Sequence, residues 1–118
     1  MLNPRVETTA EAEDATTRGT GNVFADLGYA DAEERQTKLR LAYAINDVIA
    51  RRRLTQPAAA EKLGVNQPKV SALANYKLDG FSVERLMTFL TALDRDVDIV
   101  ITKKPRSRAA ARISVVAA

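Results

Sequence analysis

A small, mainly α-helical bundle of four to five helices, followed by one C-terminal β-strand, is the fold this sequence predicts. Three observations predict it. Apolar residues recur at helical spacing in successive stretches between Asp31 and Leu93. An alternating pattern with a period of two replaces that spacing over Asp96–Ile101. The apolar share, 46% of 118 residues, comes from Ala, Leu, Val and Ile, with only 5% aromatic residues, a balance that suits short helices in close contact. A chain of this size is one domain with a modest core.

The first 20 residues are polar, rich in Thr, Ala and Glu, and lack periodic apolar positions. They cannot bury enough surface to offset the entropy of ordering, so residues 1–20 are expected to be a disordered acidic leader. The patterned domain then runs over 21–102, and 103–118 forms a basic, flexible tail. At the head of the domain, Val23, Phe24, Leu27 and Tyr29 bring apolar bulk into a polar neighbourhood. They either staple the leader onto the domain or offer a short hydrophobic element to a partner.

Asp31–Arg53 carries the longest helical pattern, with Leu41, Ala44, Ile45, Val48 and Ile49 as its apolar stripe. Acidic residues at its start and Arg51, Arg52 and Arg53 at its end complement the helix dipole. A second role is open to Arg52 and Arg53, because this end lies directly before the next helix and can bring them to a phosphate.

Leu54–Tyr76 reads LTQPAAAEKLGVNQPKVSALANY. Thr55 and Asn66 are both residues that cap helix starts, and each precedes Gln-Pro, where the missing proline N–H would have been unpaired anyway. Ala59, Ala60 and Leu63 give the first helix one apolar face, and Ala60 is small enough for a close crossing. Gly64 stops that helix at a position suited to a left-handed backbone. Val65, Val70, Leu73 and Ala74 are expected to point inward. Gln67, Pro68, Lys69, Ser71 and Ala72 remain at the outward start of the second helix. Short or planar-amide side chains with one cation are what a helix needs to reach base edges and a phosphate in a major groove. Gln56, Asn75 and Lys77 flank this face, the last two placed for backbone contacts that set register. The pattern is that of a helix-turn-helix.

At these residues the chain resembles the Xre/Cro-like family of phage and bacterial repressors. The matching positions are Thr55-Gln56, Ala60, Gly64-Val65, Asn66-Gln67, Val70-Ser71 and Leu73, while Ala74-Asn75-Tyr76 departs from the Glu-Asn-Gly frequent at the end of the second helix in that family. A longer likeness joins Gly21–Gly28, Ala32-Glu33-Glu34, Leu78–Ser82 and Asp96–Ile101, and there the chain resembles HigA-type antitoxins of two-gene toxin–antitoxin operons. It implies a repressor that binds a palindromic double-stranded operator, autoregulates its operon and neutralises a co-encoded toxin, a HigB-like mRNA-cleaving RNase. Val23, Phe24, Leu27 and Tyr29 are then candidates for the toxin contact. The same subfamily includes stand-alone regulators, and a protein-interaction module without DNA binding is a third reading, opposed by Gln67, Lys69 and Ser71 on the outward face.

Beyond the motif, Gly80 allows a turn, Ser82 is a cap, and Val83, Leu86, Met87, Phe89, Leu90 and Leu93 make a further core helix. In the strand that follows, Val97, Ile99 and Ile101 point one way. No second convincing strand is available in the domain, so its own copy across a two-fold axis is the expected partner, giving a homodimer. A fold-back of Arg112–Val116 is the competing pairing. Lys103, Lys104, Arg106, Arg108 and Arg112 make the tail either a phosphate-tracking arm or a solvated terminus.

Charge is unevenly laid out. Residues 1–36 hold eight acids against three arginines, whereas 37–118 hold fifteen bases against seven acids, for a net charge of +3 overall. A basic body suits a polyanion, and the acidic leader suits solubility or a basic partner. With no Cys and no His, the chain lacks a disulfide, a thiolate nucleophile, an imidazole base and zinc ligands of those types, which argues against an enzyme, a metal or a cofactor. No apolar run suggests a signal peptide or a membrane span, so the expected place is the cytoplasm, associated with the nucleoid through an operator.

Overall fold

The computed structural model describes residues 20–117, with side chains described from Asp31 onward. Among the described residues, four helices occur in the order α1 (Thr20–Arg51), α2 (Gln56–Leu63), α3 (Gln67–Ala74) and α4 (Val83–Ala92). The chain divides into two units, residues 1–34 and 35–118. In the first unit the described chain is the opening part of α1, on which Asp31, Ala32 and Glu34 are exposed. The leader up to residue 19 lies outside the described residues, as do the side chains of Val23, Phe24, Leu27 and Tyr29.

The long first helix begins at Thr20 rather than at Asp31, and its first turn contains no acid. The expected dipole pairing at that end is therefore corrected. Asp31, Glu33 and Glu34 lie more than two turns inside the helix, beyond the reach of a terminal dipole. Arg51 does occupy the last turn.

In the second unit the core takes Leu41, Ala42, Ile45 and Val48 from α1, Leu63 from α2, Leu73 from α3, and Leu86, Phe89 and Leu90 from α4. Leu78, Phe81 and Leu93 complete it from the connections. Phe81 and Phe89 meet edge to face with centroids 5.9 Å apart, the arrangement their quadrupoles favour. A smaller cluster of Ala59, Ala60 and Val70, flanked by Ile49, Leu54 and Val65, cements α2 to α3. The small Ala60 lets the two helices approach closely, as the sequence suggested, and Ala59 joins it in the contact.

All four helices close in one way. Arg53, Gly64, Tyr76 and Asp94 each adopt positive φ, at 54°, 72°, 58° and 64°. After each, the next N–H bonds a carbonyl five residues back: Leu54 to Ile49, Val65 to Ala60, Lys77 to Ala72 and Arg95 to Leu90, at 2.9–3.0 Å. This doubled closure satisfies the orphan carbonyls of each last turn. Gly64 was legible as such a stop and Asp94 carries only a weak signal, while Arg53 and Tyr76 are residue types with none for a left-handed backbone.

Past Asp94 the backbone is irregular, and no strand occurs among the described residues. The strand expected over Asp96–Ile101, and the competing fold-back of Arg112–Val116, do not form within the single chain. A strand needs a ladder partner, and this segment has none among the described residues. Val97 packs against the core, whereas Ile99, Val100 and Ile101 are 75%, 78% and 92% exposed. The tail returns to α1, where Arg40 Nη1 donates to the Val115 carbonyl at 3.3 Å and the Val115 side chain rests on the core.

Candidate nucleic-acid interface

The two short helices are set by their caps. Thr55 Oγ1 accepts from Ala58 N–H at 3.2 Å, and Asn66 Oδ1 accepts from Lys69 N–H at 3.0 Å. Pro57 and Pro68 stand in the first turns, where the missing N–H costs nothing. The turn between the helices is Gly64-Val65-Asn66, with the glycine left-handed and Val65 partly buried against both apolar clusters. These contacts present Gln67, Pro68 and Lys69 as exposed residues at the start of α3.

The far end of α3 is tied down by a residue that the sequence did not single out. Asn46 on α1 donates through Nδ2 to the Leu73 carbonyl at 3.1 Å, a partly buried bond. The same carbonyl accepts from Tyr76 N–H at 3.1 Å. A polar residue at 46 interrupting the apolar stripe of α1 was the available signal. Its function is positional, because it fixes the carboxyl end of the helix whose amino end is capped by Asn66.

The expected site residues separate into groups. Gln56 is exposed at the start of α2, and Gln67, Pro68 and Lys69 at the start of α3. Ser71 is half-buried, and Ala72 packs against the core rather than facing outward, because α3 is covered along this flank. Ala74, expected inward, is exposed, since the inward line passes from Val70 and Leu73 across the turn to Leu78. Asn75 folds back, its Nδ2 donating to the Ser71 carbonyl at 2.9 Å, while Lys77 stays exposed.

The cations differ in their freedom. Lys69 Nζ lies 5.1 Å from the Phe81 ring centroid, a cation–π distance. It would stand 3.1 Å from a Cβ on residue 80, a contact that a small shift of the flexible lysine end relieves, and Gly80 has no left-handed backbone. Arg51 pairs with Asp47 at 2.8 Å. Arg52 Nη1 donates to the Leu93 carbonyl at 3.2 Å and approaches Asp94 at 3.7 Å, joining α1 to the end of α4. Arg53 is exposed beside the start of α2. Of the two arginines considered for phosphate contact, Arg53 is the one whose head is uncommitted.

This arrangement is a two-helix element with both starts capped and polar residues exposed at the start of α3. Among the described residues no group of His, Cys, Asp and Glu is placed to hold a metal, and no helix is long and apolar enough to cross a membrane.

Comparison with known proteins agrees with this geometry. A helix-turn-helix domain model matches residues 23–102. A solved structure whose name places it in the XRE family of transcriptional regulators is 82% identical, covers 75% of this chain and 99% of its own, and superposes with a TM-score of 0.72. No curated protein matches the chain.

Proposed function

This chain belongs to the helix-turn-helix family of XRE transcriptional regulators, and from that premise we propose that it is a sequence-specific repressor of its own operon, acting as a homodimer on a palindromic operator. The observation that carries this reading is the two-ended fixation of α3, by Asn66 at its start and Asn46 at its end, which leaves Gln67, Pro68 and Lys69 exposed on a rigid support. A helix held in this way enters a major groove without losing further conformational freedom. Gln67 has the bidentate amide that suits an adenine edge. Lys69 is a point charge for a phosphate or a guanine, and Gln56, Asn75, Lys77 and Arg53 supply surrounding backbone contacts.

Within this function we assign the chain the antitoxin role, supported by the likeness to HigA-type antitoxins over Gly21–Gly28, Leu78–Ser82 and Asp96–Ile101. Its partner is a co-encoded mRNA-cleaving toxin, and Val23, Phe24, Leu27 and Tyr29 are the contact residues proposed. A stand-alone regulator uses the same DNA-binding residues and differs only in lacking that partner.

Fluorescence anisotropy against DNA from directly upstream of the gene, beside a shuffled duplex at two salt concentrations, tests the DNA-binding reading. A preference of about a thousandfold or more for the native duplex is expected. Equal, strongly salt-dependent binding to both duplexes refutes sequence-specific autoregulation. Lys69→Ala should lower the salt slope by about one. Co-expression with the adjacent gene then decides between antitoxin and stand-alone regulator: a stoichiometric complex that relieves toxicity supports the first, and its absence the second.

A further inference from the structure

Resting on the dimeric reading above, we infer that Asp96–Lys104 pairs with the same segment of a second copy as an antiparallel ribbon in one register, with Val100 on the two-fold axis. The segment is available for this. Val97 is anchored on the core, so the start of the segment is fixed, while Ile99, Val100 and Ile101 project from it with no apolar cover. Asp96 and Asp98 form no ion pair among the described residues, and Lys103 is likewise unpaired. Lys104 Nζ donates to the Arg108 and Pro105 carbonyls at 2.7 and 3.3 Å, which leaves the third of its three N–H donors for a carboxylate.

Pairing rules select the register. Side chains alternate between faces, so a slip by a single residue sets Ile101 opposite Asp98 and Val100 opposite Ile99 in one direction, or Ile101 opposite Val100 and Ile99 opposite Thr102 in the other, and mixes the two faces. Three in-phase registers are centred within the exposed apolar run, on residues 99, 100 and 101. Centring on Ile99 puts Asp98 opposite Val100 and leaves both acids without a cation. Centring on Ile101 puts Ile99 opposite Lys103. Centring on Val100 sets Ile99 against Ile101 twice, Val100 against itself, and Asp96 against Lys104 at each end. Its one apolar–polar pair is Val97 with Lys103, and Val97 is already packed on its own domain. Opposite charges and apolar residues directly across a ladder are the stabilising pairs of a sheet. Of the three, only this register pairs opposite charges without setting an exposed apolar residue against a charge.

The absence of cysteine from the sequence makes the register directly readable. Ile99→Cys, Val100→Cys and Ile101→Cys are made singly in the full chain, with Thr91→Cys on the exposed side of α4 as a collision control, and oxidised at low protein concentration. A residue on the axis meets its own copy at disulfide distance, whereas its neighbours do not. Val100→Cys is expected to form covalent dimer about tenfold faster than the others. Fastest cross-linking of Ile99→Cys or Ile101→Cys overturns the register, and rates equal to the control for all three overturn the ribbon. A charge test is independent of cysteine: Asp96→Lys should weaken dimerisation about tenfold, and adding Lys104→Asp should restore it by exchanging the signs of both pairs. No rescue refutes the Asp96–Lys104 pairing. Operator preference measured on the same variants keeps the two proposals apart. A preference retained without cross-linking defeats the ribbon alone, while cross-linked Val100→Cys without a preference defeats the repressor reading alone.

Discussion

The stretch from Thr55 to Tyr76 and the segment after Asp94 both carry closely spaced apolar residues, and the two dispose of them in opposite ways. In the first, every helix end is closed locally: Thr55 and Asn66 cap the starts, and Gly64 and Tyr76 close the ends through bonds within five residues. Its apolar side chains meet one another across a single tight turn. In the second, the apolar residues alternate, so no local helix can gather them on one side, and Ile99, Val100 and Ile101 stay uncovered. Helical elements satisfy their own backbone, and an extended segment depends on a partner. The two-helix element is therefore closed within one chain, whereas the segment beyond it leaves its apolar residues exposed, and the proposed ribbon would cover them.

The sharpest way to test that contrast uses one residue type in both regions. Ile45 is 0% exposed in the core, and Ile101 is 92% exposed. Ile45→Ala should cost about 2–5 kcal/mol in urea unfolding, the transfer term plus a cavity. Ile101→Ala should change monomer stability by less than about 0.5 kcal/mol, as for an ordinary surface position, while reducing dimer in light scattering. Equal losses of stability would mean that Ile101 is buried in the folded chain.

Helix closure gives the next effect. A Cβ at Gly64 meets nothing within 4 Å, so only backbone strain opposes substitution there. Gly64→Ala should destabilise by about 1–2 kcal/mol without displacing the turn. Gly64→Val, whose branched side chain resists positive φ more strongly, should cost more. Arg53, also left-handed but exposed, should show the opposite sign: Arg53→Gly relieves strain and stabilises by up to about 1 kcal/mol, visible as a raised Tm. A loss of stability at Arg53→Gly would reveal a structural contact of that side chain.

Smaller losses of stability than at Gly64 fall on the caps. Thr55→Ala and Asn66→Ala should each cost about 1 kcal/mol. They should differ in function, because only Asn66 starts the helix that carries Gln67 and Lys69. Operator affinity falling with Asn66→Ala and holding with Thr55→Ala, both measured well below Tm, supports α3 as the reading helix. The reverse result would move the reading face to α2.

The sequence determined what depends on neighbours in the chain. Caps at Thr55, Asn66 and Ser82, the left-handed stop at Gly64 and the helical stripe of Leu86, Phe89 and Leu90 were all readable, since capping and periodicity are local properties. The tertiary structure decided what depends on contacts between distant residues. Asn46 reaches Leu73 across 27 positions, Arg52 reaches the end of α4 across 41, and Ala72 turns out to face the core while Ala74 does not. Left-handed closures at Arg53 and Tyr76 belong with these, because neither residue type prefers that backbone conformation and nothing in the sequence marks it. Local bonding writes itself into residue type, whereas the direction in which one helix leaves another is fixed only once the core has closed.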